Sequence, residues 1–96
     1  MEIISKEHFK RMEMMCKTFA EKSKSNSLFL PEYETSEKIN GMICSINKPT
    51  ESDFNKIIDL IKKTDLKEHY NGSQWYDYKI HLNALLRENG FKSNII

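Results

Sequence analysis

"SEKINGMICSIN", residues 36–47, decides whether this chain is all-helical or mixed. Ile39, Met42, Ile43 and Ile46 stand at i, i+3, i+4 and i+7, the spacing that aligns apolar side chains along one side of a helix. Asn40-Gly41 pulls the other way. That pair favours a hairpin turn, a glycine inside a helix costs about 1 kcal/mol, and "MICSI" has the composition of a strand. The four-residue apolar pattern carries the preferred reading, a helix over 36–46 capped by Thr35 or Ser36. It makes the chain all-α, a small single-domain bundle of three or four helices. The alternative is an α+β domain with a short hairpin around residues 28–46, in which "SLFL" pairs with "MICSI".

Working upstream, "LFLPEYETS" reads as an extended linker, because Pro31 disfavours helical backbone at Leu30. Leu28 and Leu30 are then expected to drape over the core; the alternative is an exposed apolar-acidic loop, with the acidic residues of 32–37, that touches a partner. Before it, Phe9, Met12, Cys16, Phe19 and Ala20 share one face of a helix over about 6–24, with Ser5 as its N-cap and Met14 pointing away. That helix fades in "EKSKSNS", where serine and asparagine compete for backbone hydrogen bonds.

Downstream, Thr50 with Asp53 three residues later forms a capping-box pattern. Phe54, Ile57, Ile58 and Ile61 follow on one face of a helix over 51–64, which ends in Lys62-Lys63 where cations favour the negative end of the helix dipole. A short turn near 66–70 precedes the stop at Asn71-Gly72. The last helix covers about 74–88, from a Ser73 N-cap to Gly90 at C′, with Phe91 and Leu86 placed as the apolar pair that accompanies such an ending.

The last helix has three faces. Trp75, Tyr78, Leu82, Leu85 and Leu86 form its core stripe. Tyr76, Lys79, Ile80, Asn83 and Arg87 form a mixed face that the core stripe leaves unexplained. Tyrosine and arginine anchor protein interfaces, while lysine, arginine and asparagine also contact phosphates and base edges. The third face holds Asp77 and His81 four residues apart, a surface pair rather than a metal site without a third ligand. The expected core is Phe9, Met12, Cys16, Phe19, Ile39, Ile43, Ile46, Phe54, Ile57, Ile58, Ile61, Trp75, Tyr78, Leu82, Leu85 and Leu86.

Composition narrows the function. At 96 residues, with 39% hydrophobic and 30% charged side chains, the chain has the make-up of one globular domain, residues 1–96. A net charge of +1 offers little long-range attraction to duplex DNA. No apolar run approaches the roughly 20 residues of a membrane span, and the start lacks the pattern of a secretion signal, so a cytoplasmic location is expected. Cys16 and Cys44 are too few for a disulfide framework and are expected to be buried free thiols. No G-x-S-x-G, phosphate-binding loop or H-E-x-x-H is present, so neither a catalytic residue nor a cofactor is expected. The expectation is a non-enzymatic protein-binding module acting on a larger host protein through Tyr76, Lys79, Ile80, Asn83 and Arg87. Abundant lysine, isoleucine and asparagine add a compositional hint of a phage or mobile-element inhibitor or adaptor. The alternative is a nucleic-acid-binding protein using the same helix.

Overall fold

In the computed structural model, which describes residues 6–46, 50–65 and 73–95, the ambiguous stretch is helical. Helix α1 spans Lys6–Ser25, α2 Leu30–Ser45, α3 Glu51–Asp65 and α4 Ser73–Glu88, with a single 3-10 turn at Ser27–Phe29 between α1 and α2. The described residues contain no strand, so the all-α reading holds and the hairpin alternative does not. The Ser5 cap, the Asn71-Gly72 stop and the turn near 66–70 lie outside the described residues.

Asn40 explains why a turn-forming pair sits inside a helix. Its side-chain nitrogen donates to the Met12 carbonyl of α1 at 3.3 Å, and its oxygen accepts the Tyr78 hydroxyl of α4 at 2.8 Å. One amide thus ties α2 to both neighbouring helices in the interior, where satisfied polar groups fix a single arrangement. Burial pushes the Tyr78 hydroxyl well above its ordinary pKa, so it remains a donor at neutral pH. Gly41, on the exposed side of α2, needs no special backbone conformation.

Helix α2 starts six residues before the expected position. Leu30 takes φ −62°, ψ −42° despite preceding proline, and Pro31 lies in the first turn, where a missing N–H removes no intrahelical bond. The "LFLPEYETS" segment is therefore helical over most of its length rather than extended. Thr35 and Ser36 are buried within α2 and do not cap it. Instead the Thr35 and Thr64 hydroxyls bond to each other across α2 and α3, and Ser36 donates to the Tyr33 carbonyl at 3.0 Å. Asn26, which accepts the Leu28 amide at 3.0 Å, caps the preceding 3-10 turn.

The other ends form as the local chemistry requires. Thr50 and Asp53 close a reciprocal capping box, with the Thr50 amide donating to Asp53 at 3.0 Å and the Asp53 amide to Thr50 Oγ1 at 3.2 Å. At the end of α4 the Phe91 amide donates to Leu86 O and the Gly90 amide to Arg87 O, while Gly90 takes φ +90°. These are the two bonds and the left-handed glycine of a Schellman motif.

Pairings along the helices define an up-down-up-down bundle. Thr35 meets Thr64 between α2 and α3, and Lys22 bonds Gln74 at one end of α1 and α4 while His8 meets His81 towards the other. The interior holds Met12, Phe19, Ile39, Ile43, Ile57, Ile61, Trp75, Tyr78, Leu82, Leu85 and Leu86. Each removes enough apolar surface from water to contribute roughly 1.5–3 kcal/mol. Trp75 and Tyr78 stack at 5.5 Å, and Phe19 packs its ring against both. Phe9, Cys16, Ile46, Phe54 and Ile58 were expected in this core but are only half-buried: Phe9 and Phe54 pack against its edge, and Ile46 lies past the end of α2 in extended backbone.

Candidate functional site

The mixed face of α4 separates once its neighbours are in place. Tyr76 is 53% exposed and Ile80 is half-buried. Lys79 reaches the last residue of α3, placing its Nζ 3.2 Å from Asp65 Oδ2, and the Trp75 indole nitrogen donates to Asp65 Oδ1 at 2.8 Å. Asp65 therefore fastens α3 to α4 through both residues, leaving the Lys79 ammonium engaged within the fold.

Asn83 is a correction to the expected surface. It is 7% exposed, because the chain beyond Gly90 folds back over it. Its Oδ1 accepts the Ser93 hydroxyl at 2.5 Å and the Ile95 amide at 3.4 Å. Arg87 is exposed, yet its Nε donates to the Ser93 carbonyl at 2.9 Å. Phe91 completes the strap by stacking on Phe54 of α3 at 5.0 Å. As positioned, Lys79 and Asn83 are committed internally rather than presented to a phosphate or a base edge.

Exposed apolar side chains lie elsewhere. Met14, Leu28, Leu30 and Tyr76 are the large hydrophobics at least two-fifths exposed among the described residues. Leu28 and Leu30 do not drape over the core: they flank half-buried Phe29 on the corner between α1 and α2, at 49% and 42% exposure. The Lys22 ammonium lies over the Phe29 ring, 5.1 Å from its centre, and bonds the Gln74 side chain at the start of α4. That bridge brings the Leu28–Leu30 corner and the Tyr76 end of α4 to the same end of the bundle.

Two further features lie along α1. An open groove of about 350 Å³ runs between α1 and α2, with Phe9, Cys16, Tyr33, Asn40 and Cys44 among its lining residues. Both cysteines are free, but Cys44 is exposed and Cys16 half-buried, so neither is the fully buried thiol expected. At the far side of α1, His8 and His81 join their Nδ1 atoms at 2.8 Å. His81 thus pairs with a histidine of another helix rather than with Asp77 alone, a partner that periodicity within α4 could not reveal. No group of three or more metal-binding side chains occurs among the described residues. No described helix is long and apolar enough to cross a membrane. No protein-family model, curated protein or solved structure matches this chain.

Proposed function

We propose that this chain is a non-enzymatic protein-binding module, an inhibitor or adaptor that covers a surface of a larger host protein. The observation that carries this reading is the pair Leu28 and Leu30, left 49% and 42% exposed on the corner between α1 and α2, with Tyr76 on α4 at 53% as a further exposed apolar side chain. Single exposed apolar residues are ordinary, but two large ones on one corner favour a covering partner. On this reading Tyr76 contacts the partner, as the exposure of its ring allows. Leu28 and Leu30 join it, whereas Lys79, Asn83 and Arg87 support the scaffold.

The test compares affinity capture by the wild-type chain with capture by Leu28→Ser/Leu30→Ser and by Tyr76→Ala. The expected result is a partner retained by the wild type and lost by both variants, with melting temperatures unchanged within a few degrees. Retention should survive a rise to about 0.5 M salt, because apolar burial is screened far less than phosphate contacts. Capture by the variants at wild-type levels, or release by nuclease or salt, would overturn the proposal.

A further inference from the structure

The contact between His8 of α1 and His81 of α4 joins residues 73 positions apart, and its geometry is specific. The Nδ1 atoms are 2.8 Å apart and the ring centres 5.1 Å apart. The second distance exceeds the first by roughly two ring radii, so each Nδ1 points almost straight at the other. This is the alignment of a single N–H donating to a single lone pair. A tetrahedral metal ion would need the two nitrogen axes to meet at an angle instead.

We infer that this pair is an acid-sensitive clasp, which holds the first half of α1 against α4 while it carries at most one proton beyond neutrality and opens when it takes a second. In the neutral pair one ring donates from Nδ1 and the other accepts. A first added proton preserves the bond as an imidazolium–imidazole contact, strengthened by its charge. Glu88 Oε1, 3.7 Å from His8 Nε2, supplies a counter-charge. A second proton places two N–H groups and two positive charges head to head, and the contact cannot survive.

The surroundings set the direction. The pair lines a second groove, of about 470 Å³, which Glu7, Lys10 and Arg11 of α1 also face, and from α4 Asp77 and Glu88 flank the pair. Burial pulls the His81 pKa below its ordinary value, with the charges of His8 and Arg11 acting the same way and Asp77 opposing them. Below the ordinary histidine pKa the unfolded chain therefore binds more protons at this position than the folded one. Stability contributed by neutral His81 is complete above that value and is lost as pH falls through the lower folded value.

The experiment is a histidine titration of the intact wild-type protein by NMR, with amide exchange followed in parallel. The expected outcome is that the pair takes up its protons in two coupled steps, the second below the range of a histidine model peptide. Protection factors of the amides of residues 9–14 should fall with that second step. His8→Asn should remove this fall, because an asparagine amide offers His81 a donor or an acceptor as needed and carries no proton of its own. Independent single-step curves for the two histidines, or α1 protection unchanged through the second step, would overturn the inference. The wild-type titration decides it even if the variant fails to fold.

Discussion

Asn83 accepts the Ser93 hydroxyl at 2.5 Å beneath the C-terminal strap, and with 7% and 0% exposure the two residues are hidden from solvent together. On a helical wheel Asn83 belongs with Tyr76 and Arg87 on the outward side. The turn at Gly90 converts that position into interior by laying Phe91 to Ile95 back along α4. The same face thus ends in two different environments, open at Tyr76 and covered at Asn83.

Asn83→Ala is expected to destabilise the fold by about 1–3 kcal/mol, since it leaves the buried Ser93 hydroxyl without its acceptor. Ser93→Ala should cost about 1 kcal/mol, and the double variant less than the sum, with a coupling of roughly 0.5–3 kcal/mol. Urea unfolding of the four proteins measures this. Strict additivity would mean that the strap is not anchored by this bond.

Gly41 and Gly90 should respond in opposite senses to alanine. Gly41 lies on exposed α2 with open space around a Cβ, so Gly41→Ala should raise stability by about 0.5–1 kcal/mol. Gly90 holds φ +90°, and alanine there should cost about 1–2 kcal/mol. For a domain of this size each kcal/mol moves the melting temperature by roughly 4–8 °C, so thermal unfolding resolves both signs.

Helix type and core were legible in the sequence where periodicity and caps agreed: the Thr50–Asp53 box, the Gly90 ending and the Ile39–Ile43 stripe depend on residues within one turn of one another. The start of α2 was not legible, because Pro31 is a breaker in mid-helix yet harmless in a first turn, and only the flanking contacts decide which it is. The candidate surface was read in part for the same reason. Tyr76 is 53% exposed, but Asn83 and Lys79 are claimed by Ser93 and Asp65, which local spacing cannot place. The exposed Leu28–Leu30 corner was the alternative and not the preferred reading, because an apolar run beside a proline is as readily assigned to the core. Leu28 lies inside the Asn26-capped turn, and that asparagine is a signal that could have marked it as a corner.

Neighbouring aromatics on α4 should separate structure from binding. Trp75→Ala should cost about 3–5 kcal/mol, because it empties the centre of the Phe19–Trp75–Tyr78 cluster and removes a donor from Asp65. Tyr76→Ala should stay within about 0.5 kcal/mol of wild type, and Tyr76→Ala with Arg87→Ala should lose about 1 kcal/mol more through the Ser93 carbonyl bond. Denaturant unfolding measures all three. A large loss from Tyr76→Ala alone would place that ring in the structure rather than on a docking surface.

The two cysteines should differ in reactivity although both line the groove between α1 and α2. Cys44 is exposed. Cys16 is half-buried, and burial pushes its thiol pKa above the ordinary value, with Glu37 adding to the rise and a hydrogen bond to Ser36 opposing it. Because the thiolate is the reacting form, both access and ionisation hold Cys16 back at neutral pH. A disulfide reagent should therefore modify Cys44 about tenfold or more faster than Cys16. Cys44→Ser should leave only the slow phase and Cys16→Ser only the fast one, while denaturant should bring the two rates together. Equal rates in the folded protein would mean that α1 and α2 do not shield Cys16 as the groove geometry requires.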